Sequence, residues 1–122
     1  MARIIIIDDD EVCCSVLARL LAREGNEVEW FTTGKEALDR GLEKEPQLLI
    51  CDWILENGLD GVDVARAIWN RWPKVRIIFI TGLPADQLRR ETHELPVIHV
   101  FEKPLPLDDL LTLVDPSIEN GP

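Results

Sequence analysis

Five short apolar runs, separated by stretches of helical period, constrain this chain more than any other feature: Ile4–Ile7, Val28–Phe31, Gln47–Cys51, Val75–Ile80 and Val97–Phe101. Four are apolar almost without interruption, as strands of a parallel sheet covered on both faces must be. The second, Glu27-Val28-Glu29-Trp30-Phe31, partly alternates, which suits the sheet edge. Val12, Val16, Leu17, Leu20 and Leu21 share one helical face, and Gly25 is a natural stop. Thr33 with Glu36 forms a capping box ahead of Ala37, Leu38 and Leu42. Asp60 can cap a helix burying Val62, Ala65, Ile68, Trp69 and Trp72, which Pro73 ends. Pro84–Glu94 is mostly polar, with Leu88 as its main anchor, so this fourth helix should be the loosest. Pro106 suits a first helical position before Leu107, Leu110, Leu111 and Val114. Five strands alternating with five helices imply a (βα)5 doubly wound α/β domain with right-handed crossovers.

The chain's 122 residues suffice for one domain, expected over residues 1–115 with a disordered tail at 116–122. An apolar fraction of 46% with 30% charged residues is that of a folded globular chain. Against 13 Lys and Arg stand 23 Asp and Glu, a net charge of −10 that disfavours direct contact with nucleic acid or anionic lipid. No apolar run is long enough to cross a membrane and the N-terminus does not read as a signal peptide. Three cysteines, two of them the adjacent Cys13 and Cys14, fit a reduced cytoplasmic protein better than a disulfide framework.

The polar residues that end the runs converge. Ile4–Ile7 leads into Asp8, Asp9 and Asp10; Gln47–Cys51 into Asp52; Val75–Ile80 into Thr81 and Gly82; Val97–Glu102 into Lys103. In an open parallel sheet, ligands bind beyond the carboxyl ends of the strands. Crowded carboxylates raise one another's pKa unless a cation neutralises them. Oxygen-only ligands in a small acidic cup suit Mg²⁺. A lysine and a hydroxyl beside the cup complete a site for a phosphoryl group, with a carboxylate as nucleophile.

At Ile6-Ile7-Asp8-Asp9, Leu49-Ile50-Cys51-Asp52-Trp53, Asp60-Gly61, Ile78-Phe79-Ile80-Thr81-Gly82 and Glu102-Lys103-Pro104 the sequence resembles the receiver domains of two-component response regulators, most of all the single-domain chemotaxis type. The resemblance extends from Arg3 to about Val114. It implies a flavodoxin-like sheet of order 2-1-3-4-5, with Asp52 as phosphoacceptor forming 4-aspartylphosphate. It also implies Mg²⁺ held by Asp9, by Asp8 through water, by Asp52 and by the backbone carbonyl of Ile54. Thr81 and Gly82 would contact the phosphoryl oxygens, Lys103 would pair with the phosphoryl group, and the Lys103–Pro104 bond would be cis. The phosphodonor would be a histidine kinase or histidine phosphotransfer protein. The downstream protein target is unspecified, and a homodimer through the fourth and fifth strand–helix units is permitted.

This chain departs from the family pattern in three places. Ile54–Leu59 looks one residue longer than the usual loop, with Glu56 where proline is frequent. The aromatic switch position three before the lysine is Val100, with Phe101 one place later. Ile54 and Leu83, two places after Asp52 and Thr81, are both apolar, which points to slow self-dephosphorylation.

Plainer roles compete for single residues. Asp10 is the acid best suited to be only a helix cap. Cys51 should face away from Asp52 into the core, as should at least one of Cys13 and Cys14. Trp30, Trp69 and Trp72 read as packing, Trp53 as an optical reporter, and His93 and His99 as structural or surface residues. Two other functions fit parts of the pattern. One is a haloacid-dehalogenase-like phosphatase with Asp8 as nucleophile and Asp10 as acid/base, though too little chain follows Lys103 for its last acidic motif. The other is a receiver-like interaction module that is never phosphorylated. The receiver reading makes the chain a switch that catalyses its own modification, rather than a turnover enzyme.

Overall fold

A computed structural model describes residues 2–55 and 60–119, with side chains described as far as Val114. Glu56–Leu59, where the longer loop was expected, lie outside the described residues. Strands β1 (Arg3–Ile7), β2 (Glu27–Phe31), β3 (Leu48–Asp52), β4 (Arg76–Thr81) and β5 (Val97–Glu102) alternate with helices α1 (Glu11–Arg23), α2 (Gly34–Arg40), α3 (Gly61–Arg71), α4 (Ala85–Glu91) and α5 (Leu107–Glu119). All strand pairs are parallel, in the order β2-β1-β3-β4-β5. The flavodoxin-like fold is therefore as expected, with the alternating run β2 at an edge and β3 at the centre.

Two apolar layers cover the sheet because neighbouring strand residues point to opposite faces. Ile5, Ile7, Leu49, Cys51, Ile77 and Phe79 pack on one side with Val62, Ala65, Ile68 and Leu88. Ile4, Ile6, Leu48, Ile50, Ile78 and Ile80 pack on the other with Cys14, Leu17, Leu21, Leu110 and Val114. Every side chain of Ile4–Ile7 is buried, and each contributes about 1.5–3 kcal/mol of transfer free energy.

The caps follow their residue types. Thr33 accepts the Glu36 N–H, Asp60 accepts those of Val62 and Asp63, and Gly25 takes a φ of 92° after α1. Helix α4 is preceded by Pro84, whose side chain makes no capping hydrogen bond. At α1 the expected face is corrected. Val12 and Val16 are exposed, and the residues that pack on the sheet are Cys14, Leu17 and Leu21. Those three recur at helical spacing, and Cys14 is as apolar a core residue as the valines. Helix α5 stays helical to Glu119, past Pro116 and beyond the expected boundary at residue 115. Proline's fixed φ is compatible with a helix and removes one donor.

The pairing of β4 with β5 shifts between Ile77 and Ile78, so that Ile77 faces Val97 but Ile78 faces His99. Beyond the shift Phe79 pairs with Val100, Ile80 with Phe101 and Thr81 with Glu102. Val100 consequently lies in the layer with Leu88 and Ala85, and Phe101 in the opposite layer with Leu110.

Candidate functional site

Parallel strands end together, so β1, β3, β4 and β5 deliver their last polar residues to one rim. Carboxylate oxygens of Asp8, Asp9 and Asp52 come within 4.8 Å of one another. Asp8 and Asp52 are buried and Asp9 is partly exposed. Asp8 Oδ1 accepts the Asp10 N–H at 2.9 Å, while Asp8 Oδ2 is buried and accepts no hydrogen bond among the described residues. Three acids with one such orphaned oxygen fit a hard divalent cation.

Lys103 reaches this cup from the end of β5. Its Nζ donates to Asp52 Oδ2 at 3.0 Å and lies 3.6 Å from Asp8 Oδ2. The Asp52 pKa is raised from 3.8 to about 6: burial is the largest cause, the charges of Asp8 and Asp9 push the same way, and the hydrogen bond and charge of Lys103 oppose them. For Lys103, burial disfavours the charge, but the bond to Asp52 and the charges of Asp52 and Asp8 prevail and raise its pKa. The peptide Lys103–Pro104 is cis, as expected.

The backbone just after Asp52 is fixed at Trp53. The Trp53 N–H bonds the Ile80 carbonyl at 2.9 Å and the Gly61 N–H bonds the Trp53 carbonyl at 2.7 Å. Gly61 is required here: a Cβ would overlap the Asp52 carbonyl oxygen and stand 2.9 Å from that of Trp53. Asp10 serves as the α1 cap, its Oδ1 accepting the Val12 and Cys13 N–H groups at 3.0 and 3.2 Å. That use leaves it poorly placed as the acid/base of the phosphatase alternative.

Thr81 is fully buried, and its hydroxyl is turned into the β4–α4 loop. Oγ1 accepts the Leu83 N–H at 2.9 Å and donates to the Leu83 carbonyl at 3.1 Å. Gly82 lies between the two, with open space over its Cα. Cys13 and Cys14 flank the cup but stay protonated. Burial first, and the nearby Asp8 charge second, raise their thiols to about 11 and about 12. Cys14 Sγ donates to the Asp8 carbonyl at 3.2 Å. Cys51 lies in the core, as expected from its alternation with Asp52. Trp53 is buried beside Asp52, Trp72 Nε1 donates to the Leu42 carbonyl at 3.1 Å, and the His99 and Phe101 rings contact at a tilt of 55° with centroids 4.3 Å apart.

This constellation coincides with a known family. A model of the response regulator receiver domain matches residues 4–115. The chain belongs to that family. The receiver is 31% identical over 115 residues to the response regulator receiver protein CpdR of Brucella abortus (strain 2308), covering 94% of this chain and 95% of that protein. It is 30% identical over 115 residues to the DNA-binding transcriptional regulator NtrC of Klebsiella pneumoniae, but spans only 24% of that longer protein. Among solved structures, a response regulator from Burkholderia pseudomallei with a phosphorylated aspartic acid, a calcium ion and citrate superposes with a TM-score of 0.84. That match is 22% identical and covers 98% of this chain and 70% of the other. The receiver is thus a signalling domain of two-component systems whose acidic cluster fits a divalent ion. Among its described residues no helix is long and apolar enough to cross a membrane.

Sequence reasoning missed one residue at this rim. Glu102, two places after Val100 on the same face of β5, accepts the Ala85 N–H at 2.9 Å. Strand alternation from Val100 was the signal that could have found it.

Proposed function

We propose that this receiver takes a phosphoryl group onto Asp52 and that the modified form switches the binding of a partner protein. The observation that carries the reading is the placement of Asp52. It ends the central strand, lies within the Asp8–Asp9 cup and is held 3.0 Å from Lys103 Nζ. An Asp52 carboxylate oxygen attacks the phosphorus in line. The new O–P bond forms as the N–P bond of a phosphohistidine breaks, and the imidazole leaves with that electron pair. Lys103 balances the charge of the transferred group, and the Thr81 hydroxyl turns from Leu83 to donate to a phosphoryl oxygen. Asp9, Asp52 and the Ile54 carbonyl would hold Mg²⁺, with Asp8 acting through water, and the bound ion would supply the charge neutralisation that lets two anions approach. The domain hosts one transfer on itself and does not turn over.

The donor is a histidine kinase or histidine phosphotransfer protein in the cytoplasm. Val12, Val16, Ile54 and Leu83, the large apolar side chains exposed among the described residues, belong to α1 and the loops after β3 and β4. They give the mouth an apolar rim against which such a donor can seat. The phosphorylated aspartic acid of the Burkholderia protein supports the chemistry on the same fold.

Intact-protein mass spectrometry after incubation with acetyl phosphate and Mg²⁺ tests this. Wild type should gain one phosphoryl group and Asp52→Asn none. Retention of the gain in Asp52→Asn with its loss in Asp8→Asn would move the nucleophile to Asp8.

A further inference from the structure

Thr81 and Glu102 are register partners on neighbouring parallel strands, so both side chains leave the same face of the sheet. Both fasten the segment that leads into α4. Thr81 Oγ1 holds Leu83 through two hydrogen bonds, and Glu102 Oε2 accepts the Ala85 N–H at 2.9 Å. Helix α4 needs the second fastening because Pro84 supplies no capping oxygen and the helix has only seven residues. Glu102 is therefore a cap lent from another strand.

Its neighbour in sequence is Lys103, whose N–H bonds the Thr81 carbonyl at 2.7 Å and whose Nζ holds Asp52. Two consecutive residues thus connect the acidic cup with the start of α4. On the same face, one alternation earlier, stands Val100, buried among Ala85 and Leu88. Valine has one stiff χ1 torsion and no ring to swing between a buried and an exposed position. Phe101 lies in the opposite layer, facing away from α4.

We infer that Glu102 is the positioning residue through which the state of the Asp52–Lys103 pair reaches α4, a polar link standing where an aromatic rotamer is absent. The inference rests on the phosphorylation of Asp52 proposed above. When Thr81 releases Leu83 to bind the phosphoryl group, the Glu102–Ala85 bond remains as the fastening of the loop. Any displacement of Lys103 toward the modified Asp52 then pulls on the first turn of α4.

The test uses the full chain as wild type, Glu102→Ala and Glu102→Gln, followed by amide hydrogen exchange with and without acetyl phosphate and Mg²⁺, and by intact mass. Without phosphodonor, Glu102→Ala should exchange the Ala85–Leu88 amides severalfold faster than wild type, with the β-sheet amides unchanged. Glu102→Gln keeps an acceptor oxygen and should restore most of the protection. With phosphodonor, Glu102→Ala should still gain one phosphoryl group while its α4 amides no longer respond. Equal α4 exchange in wild type and Glu102→Ala would overturn the cap. An intact α4 response in phosphorylated Glu102→Ala would overturn the link. A wild type that gains no mass would instead sink the Asp52 reading and the link with it, whereas faster exchange in unmodified Glu102→Ala would still bear out the cap.

Discussion

Lys103 Nζ stands 3.0 Å from Asp52 Oδ2 and 3.6 Å from Asp8 Oδ2, so one ammonium is shared by two buried carboxylates. Charge sharing of this kind is asymmetric in its consequences. Removing the cation leaves both anions buried and facing each other, a larger penalty than the pair's net stabilisation. Lys103→Met should therefore raise the Asp52 pKa above its value of about 6, because the lysine is what holds it down. Carboxyl carbon NMR titration measures that shift directly. Phosphorylation by acetyl phosphate at neutral pH should fall by roughly tenfold or more, in line with losing about 1.4 kcal/mol or more of charge stabilisation in the transition state.

The elevated pKa of Asp52 also sets a pH dependence for folding. Between the ordinary value of 3.8 and about 6, the native state binds a proton at Asp52 that the unfolded chain has already released. Stability should consequently fall as pH rises through that window, and level off above it. The contribution at stake is on the order of 2–3 kcal/mol. Urea denaturation in the presence of a chelator, from pH 4 to 7.5, should show this decline in wild type. In Asp52→Asn the decline should be much smaller. An identical slope in the two proteins would place the responsible group elsewhere.

A divalent cation should reverse part of that penalty. Asp8, Asp9 and Asp52 gather their oxygens within 4.8 Å, and Asp8 Oδ2 accepts no hydrogen bond among the described residues. A cation that binds only this folded cup stabilises by mass action, about 2.7 kcal/mol at one hundred times its Kd. Adding Mg²⁺ should raise the melting temperature, alter the fluorescence of the neighbouring Trp53, and lower the Asp52 pKa. Chelation should undo all three. Asp9→Asn should weaken the response at least tenfold, since it removes a full ligand charge from the cup.

Backbone packing beneath Asp52 makes a separate prediction. Gly61 opens α3 directly against the carbonyls of Asp52 and Trp53, where a Cβ has no room. Gly61→Ala should cost about 1–3 kcal/mol and displace the end of β3. Its phosphorylation rate should drop even at temperatures where circular dichroism shows it folded. For comparison, Asp60→Ala removes only the α3 cap, at about 1 kcal/mol, and should leave the rate nearly intact.

Most of this architecture was legible in the chain because burial on both faces forces β1, β3 and β4 to be apolar throughout, while the polar residue that ends each run must emerge at the rim. The rim positions of Asp52 and Lys103 followed from that logic, and the capping roles of Thr33, Asp60 and Asp10 from residue type at the helix starts. Helix α1 was harder to read, because an apolar period locates a stripe but not which edge of it meets the sheet. Val12 and Val16 belong to the stripe and still lie outside the core. The β4–β5 register shift was invisible as well, since a one-residue offset leaves no mark on composition. Yet it decides that Val100 and Glu102 face α4 while Phe101 faces α5. The Thr81 hydroxyl turned toward Leu83 is a local hydrogen-bond choice that residue identity alone leaves open.

The apolar rim bears on how long the proposed aspartyl phosphate would last. Ile54 and Leu83 are 52% and 50% exposed, and each follows a site residue by two positions. Hydrolysis of an aspartyl phosphate needs a water placed in line with the O–P bond, and neither side chain offers a hydrogen bond to hold one there. Wild type should therefore dephosphorylate slowly once the donor is removed. Ile54→Asn and Leu83→Asn each supply a donor and an acceptor, and should shorten the half-life severalfold, with a larger effect in the double variant. A chase that follows the phosphorylated mass after rapid desalting reads this directly. Equal decay in all four proteins would show that water reaches Asp52 by another path, and a wild-type half-life of seconds would show that the apolar rim is no barrier.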